Sequence, residues 1–147
     1  MTSRQERFKA NGEHLEGFLA FVEEAAQEAF GDHERKTDFM VAAEEAFMNV
    51  AMHAYADGGE VEVLAETNGG ELALTLIDEG APFDPASLPP PDLDASLEDR
   101  AIGSLGVHLI YSLVDEVRYR REGGRNLLTL VTRIDALEQT ERTSTER

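Results

Sequence analysis

From Glu13 to Phe30 apolar side chains recur at helical spacing, at Leu15, Phe18, Leu19, Val22, Ala26 and Ala29, and Gly31 follows as a stop. The pattern predicts a helix. A second helix is expected over about Glu34 to Tyr55, where Phe39, Ala43, Ala46, Phe47 and Val50 form a core stripe, Asp32 serves as N-cap and Asp57-Gly58-Gly59 ends the element. At Glu60 the period changes to two. Glu60 to Ala65 alternates polar and apolar, Asn68-Gly69-Gly70 turns, and Glu71 to Ile77 continues the alternation, which predicts a hairpin.

Periodicity is lost from Glu79 to Arg100, where all the prolines of the chain, Pro82, Pro85, Pro89, Pro90 and Pro91, are mixed with acidic residues. So long an irregular stretch inside a compact domain points to function or mobility, and it is read as a lid, about residues 79–101. Gly103 to Glu116 then predicts a helix with Val107, Ile110, Tyr111 and Val114 inward. A second hairpin follows, Val117 to Arg121, a turn at Glu122 to Arg125, and Leu127 to Ile134. A short strand is expected at Arg7 to Ala10. Helices grouped with such hairpins give an α/β (α+β) two-layer sandwich, a mostly antiparallel mixed sheet with helices on one face. The domain is expected over 1–137. Residues 138–147, without one apolar side chain, are expected to form a polar tail.

Composition narrows the functions. The chain has 147 residues, of which 41% are hydrophobic, enough for a single domain with a real core. With 13 Lys and Arg against 30 Asp and Glu, its formal charge is −17. Such a surface repels polyphosphate at long range, which argues against direct nucleic-acid binding and against docking on anionic membranes. Basic proteins, or small anions neutralised by a metal, are the expected partners. The absence of cysteine removes disulfides, thiolate zinc sites and Cys nucleophiles together. Met1 to Ala10 lacks the apolar stretch of a signal peptide, and no apolar run approaches the ~20 residues of a bilayer span, so a cytoplasmic protein is expected.

Three short segments carry candidate chemistry. Glu45, Asn49 and His53 stand at i, i+4 and i+8 on the second helix, on nearly one face and beside the core stripe. An Asn carbonyl suits a hard cation such as Mg²⁺, and a carboxylate one turn earlier can take a proton from a hydroxyl; an ordinary exposed helix face is the competing reading. Asp78 closes an apolar strand and is followed by Gly80, an arrangement that can receive an exocyclic amine while a flat ring approaches the backbone, or can simply open a turn. In Ala101-Ile102-Gly103-Ser104-Leu105-Gly106-Val107 two glycines three apart begin a helix, where free amides and the helix dipole can hold an anion. The segment is neither a Walker loop nor a Rossmann fingerprint. The four histidines show no zinc-ligand spacing.

Together and in this order, EAFMNVAMHAY (Glu45 to Tyr55), DEGAPFDP (Asp78 to Pro85) and Ile102 to Leu130 resemble the N, G1 and G2 boxes of the GHKL ATPase superfamily, and within it the stand-alone anti-sigma-factor serine kinases of bacterial partner-switching systems. The resemblance covers about Phe8 to Ile134. It implies a Bergerat (histidine-kinase-like ATPase) fold using ATP and Mg²⁺. By it, Glu45 activates the attacking hydroxyl, Asn49 is the Mg²⁺ ligand, and His53 and Tyr55 line the pocket. Asp78 receives the adenine amino group with Gly80 beneath the ring, Phe83 belongs to the same box, and Gly103, Ser104, Leu105 and Gly106 cradle phosphate. Thr129 matches a family threonine near the adenine. Pro82-Phe83, in place of a second glycine, favours the serine-kinase branch over the histidine kinases. The implied activity is phosphorylation of a Ser or Thr on a small anti-sigma-factor antagonist. A nucleotide-dependent module that sequesters a sigma factor or antagonist without turnover is the alternative, and a homodimer is compatible with either.

Overall fold

A computed structural model of the chain describes residues 1–54, 59–82, 84 and 104–134. A five-stranded sheet is built from β1 (Thr2–Lys9), β2 (Glu60–Asn68), β3 (Glu71–Asp78), β4 (Glu116–Glu122) and β5 (Arg125–Arg133) in the order β1-β2-β3-β5-β4. All four pairings are antiparallel, so the expected mixed sheet is antiparallel throughout the described strands. The helices α1 (Leu15–Phe30), α2 (Arg35–Asn49) and α3 (Ser104–Leu113) complete the two-layer sandwich, α1 against β1 to β3, α2 against α1, α3 and β5, and α3 against β4.

Both hairpins form where the alternation changes phase. Gly69 (φ 62°) sits in the first turn, and Gly123 and Gly124 (φ 57° and 78°) make the second, values that β-carbons oppose. On β3 the alternation is strict: Leu72, Leu74, Leu76 and Asp78 are buried toward the helices, and Ala73, Thr75 and Ile77 are half-buried on the other face. Aromatic rings knit the layers. Phe18 of α1 and Phe47 of α2 stack at 4.5 Å, and Phe8 of β1 meets Phe18 and Phe21 edge-on at 5.9 and 5.8 Å.

Several expectations need correction. β1 runs from Thr2 rather than Arg7. Its helix-facing positions hold Thr2 and Arg4, which bond Glu28 and Glu24 of α1, so an edge strand is stabilised by polar pairs that give no apolar alternation. Asp32 does not cap α2. Gly31 (φ 58°) turns the chain so that the amide of His33 bonds Phe30, and the His33 ring Nδ1 then accepts from the amide of Arg35 at 3.1 Å. α3 ends at Leu113, and Glu116 begins β4 instead of closing the helix. Tyr111, expected inward, is 45% exposed, while Val107, Ile110 and Val114 are buried as expected.

α2 does not continue as an α-helix. After Asn49 it opens into a π-helical turn over Val50–Ala54. Among the described residues no helix is long and apolar enough to cross a membrane.

Candidate functional site

The site begins at the end of β3. Asp78 is buried at 4% exposure and shares the helix-facing side of the strand with Leu76. Its Oδ1 accepts from the backbone amide of Gly80 and from Nδ2 of Asn126, both at 2.9 Å. Both bonds fall on one oxygen, so among the described residues Oδ2 has no donor. Gly80 is half-buried, and its carbonyl accepts from Arg121 Nη1 at 2.7 Å, which ties the start of the irregular segment to β4.

The second component lies on α2. Asn49 is 6% exposed, which excludes the plain solvated helix face. Among the described residues its side-chain amide has no hydrogen-bond partner, which leaves its oxygen available to a ligand. Glu45, one turn earlier, is half-buried. Both stand just ahead of the π turn, a distortion that recurs at functional sites. Only four residues separate Ala54, the end of that turn, from Gly59, which bonds Ala10 and leads into β2, where Val61 pairs with Asp78. The chain thus brings the end of α2 to the same end of the sheet as Asp78.

The third component is the start of α3. The described part of the helix runs from Ser104, one residue after the expected start at Gly103, and packs against α2. The N-terminal end of such a helix is the positive end of its dipole. Tyr55, Phe83 and Gly103 lie outside the described residues, as do the side chains of His53, Ser104 and Leu105 and the surroundings of Gly106. Glu79 to Pro82 and Asp84 are the described part of the segment read as a lid.

Thr129 does not belong with Asp78. Strand alternation sends Asn126, Leu128 and Leu130 of β5 to the helix side and Thr129 to the open face, where its hydroxyl bonds that of Thr75 at 2.9 Å. It lines a concavity of about 480 Å³ there, with Leu64, Ile77 and Leu127. The residue of β5 that does meet Asp78 is Asn126, in register opposite it. Nothing in the spacing of Asn126 marks it. The pairing of β3 with β5, which is not sequential, is needed to find it.

Two arginines of β4 pair with glutamates of the same strand, Arg118 with Glu116 at 2.7 Å and Arg120 with Glu122 at 3.0 Å. Arg121 is the exception, reaching back to Gly80 and Asn126. No group of three or more His, Asp or Glu that could hold a metal unaided occurs among the described residues. A magnesium ion that arrives with phosphates needs no such group, since one or two protein oxygens suffice, and the unpartnered amide oxygen of Asn49 fits that role.

Residues 8–132 match the family model described as the histidine kinase-like ATPase domain. The serine/threonine-protein kinase BtrW of Bordetella bronchiseptica is 31% identical over 94 residues, 63% of this chain and 66% of that protein. The serine-protein kinase RsbW of Halalkalibacterium halodurans is 32% identical over 91 residues, 59% of this chain and 56% of that one. The matched stretch therefore spans just under two thirds of the first relative and little over half of the second. A solved structure of RsbU and RsbW domains from Mycobacterium tuberculosis superposes with a TM-score of 0.63 at 22% identity, covering 90% of this chain and 32% of that one. The histidine kinase domain of a blue-light-activated kinase from Erythrobacter litoralis gives 0.53 at 18% identity, with 85% and 63% covered. The fold is shared with both.

Proposed function

Because this chain belongs to the histidine kinase-like ATPase domain family, we propose that it is an ATP-dependent serine/threonine protein kinase that regulates a sigma factor by phosphorylating a small antagonist protein. The observation that carries the reading is the state of two buried side chains on the helix side of the sheet: Asp78 with Oδ2 undonated, and Asn49 with its amide unpartnered, among the described residues. One suits the amino group of a purine, the other a hard cation.

In this reading Asp78 accepts from the adenine amino group and Gly80 lies beneath the ring. The amides at Gly103 to Gly106 and the start of α3 hold phosphate oxygens. Asn49 contributes an oxygen ligand to Mg²⁺, and bound Mg²⁺ supplies charge neutralisation across the phosphates. Glu45 takes the proton from the attacking Ser or Thr hydroxyl. The hydroxyl oxygen then forms its bond to the γ-phosphorus as the bond to the leaving diphosphate breaks. Such transfer depends on positioning and charge neutralisation more than on covalent chemistry by the protein, and these residue types supply both. The charge of −17 favours a basic partner and sets the rate and salt dependence of its association.

Incubation with γ-labelled ATP, Mg²⁺ and candidate antagonists tests the proposal. Label appearing on a partner Ser or Thr is the expected result. Partner binding that requires nucleotide but transfers no label would favour the sequestering alternative, and absence of ATP binding would overturn both.

A further inference from the structure

We propose that Asn126, held from β4 by Tyr119 and Arg121, is the positioning residue that points Asp78 Oδ2 at the ligand and so makes the site prefer a 6-amino over a 6-oxo purine. The inference rests on the nucleotide reading above and concerns three residues, Asn126, Tyr119 and Arg121, to which the sequence reading gives no role in the site.

The Asn126 amide makes bonds in both directions. Its Nδ2 donates to Asp78 Oδ1 and to the carbonyl of Ala81, each at 2.9 Å. Its Oδ1 accepts from the Tyr119 hydroxyl at 2.5 Å and from Arg121 Nη1 at 3.2 Å. A flipped amide would set its oxygen against the Asp78 carboxylate and its hydrogens against the guanidinium, so one orientation is enforced. Asn126 is 3% exposed, which denies water the chance to replace these bonds.

The consequence falls on Asp78. A carboxylate on a short side chain turns easily about its last torsion, because that well is broad. Two N–H donors on Oδ1, one from Asn126 and one from Gly80, stop that rotation. Oδ2 is left with a defined direction and lone pairs only. It can accept from an amino group, whereas a 6-oxo group in the same place sets two acceptors against each other in a buried site. Arg121 completes the arrangement: the same Nη1 that reaches Asn126 also donates to the Gly80 carbonyl at 2.7 Å and fixes the turn that supplies the second donor. Without Asn126 the carboxylate regains its rotation, neither oxygen keeps a fixed direction toward the ligand, and discrimination between the two purines decays.

Calorimetric titration of ATP and ITP, each with Mg²⁺, into the wild type, Asn126→Ala and Tyr119→Phe tests this. The wild type is expected to bind ATP roughly tenfold or more tighter than ITP, about the worth of one unpaired buried polar group. Asn126→Ala is expected to bring the ratio close to one, and Tyr119→Phe, which removes a single hydroxyl and carries the test if the first variant does not fold, to lower it several-fold. A structural role alone would weaken both nucleotides alike. An unchanged ratio in a variant that still binds overturns this proposal and leaves the kinase reading intact. A wild type that binds neither nucleotide overturns both.

Discussion

Arg35, in the first turn of α2, and Asp115, between α3 and β4, form an ion pair across 80 residues of chain, with Nη2 2.9 Å from Oδ1 and Nη1 donating to Oδ2 at 3.1 Å. The same carboxylate accepts from the backbone amide of Arg133 at 2.7 Å, and Arg35 donates to the Arg133 carbonyl at 3.2 Å. One side chain thus clasps α2, the end of α3 and β5. The clasp matters for the site because α2 carries Glu45 and Asn49 while β5 carries Asn126. Replacing Asp115 by Ala leaves a guanidinium and an amide without their acceptor, and a loss of about 1–3 kcal/mol is expected. Urea unfolding with an unchanged slope would measure it, and a loss below a few tenths would show that water replaces the carboxylate at no cost.

The same clasp predicts a pH dependence. Burial pushes the Asp115 carboxyl up, but the hydrogen bonds from Arg35 and the Arg133 amide, with the charges of both arginines, outweigh it and hold the group below its ordinary value. A carboxyl depressed in the folded state stabilises above its unfolded pKa and loses that contribution as pH falls through the folded value. The stability difference between wild type and Asp115→Asn is therefore expected to be constant above about pH 5 and to shrink on acidification below about pH 4. Parallel denaturation series across that range would show it. A difference that grows in acid would reverse the sign and exclude the ion pair as its source.

Much of the fold was legible because the core obeys simple periods. Phe39, Ala43, Ala46, Phe47 and Val50 are all buried, and both glycine turns lie where the alternation stops. What escaped was carried by polar contacts between distant segments. β1 is anchored by Arg4 and Thr2 to α1, and its residues taken alone look like a solvated leader. The cap of α2 depends on a turn at Gly31 that swings a ring nitrogen into place where a carboxylate is usual. In the site, Asp78 and Asn49 were recognisable because strand end and helix phase fix their surroundings locally. Thr129 was named through the family resemblance alone, and Asn126 was not singled out, because its meeting with Asp78 depends on the register of β5 against β3, which neither segment encodes by itself.

Asn49 offers a test that separates binding from folding. A buried amide with no described partner adds little to stability, so Asn49→Ala is expected to unfold within about 1 kcal/mol of wild type. Nucleotide affinity is expected to lose its Mg²⁺-dependent part, so that titrations with and without the ion become superimposable. Retention of the full Mg²⁺ effect would remove Asn49 from the cation site.

Glu45 is assigned to the proton and not to the nucleotide. Glu45→Ala is expected to bind ATP as wild type does and to transfer phosphate about 10²–10⁴-fold more slowly, the usual worth of a general base. Single-turnover transfer to the phosphorylated partner, once identified, reads this directly. Equal rates would exclude Glu45 from the step, and a parallel loss of ATP affinity would instead assign it to binding.

Thr129 supplies the control. Its hydroxyl bonds Thr75 on the open face of the sheet, with the full thickness of the strand between it and Asp78. Thr129→Val keeps the shape and removes the hydroxyl, leaving Thr75 to bond solvent at a half-buried position, so the expected cost is below about 1 kcal/mol. Adding Thr75→Val removes the second partner and is expected to recover part of that loss, because two apolar groups of the same shape leave no polar atom unsatisfied. Neither variant is expected to change ATP affinity or the preference for ATP over ITP. If Thr129→Val weakened ATP as Asn126→Ala is expected to, adenine would have to sit on the open face, in the concavity lined by Leu64, Ile77 and Leu127, and Asn49 on the opposite side of the sheet could take no part in binding the same molecule.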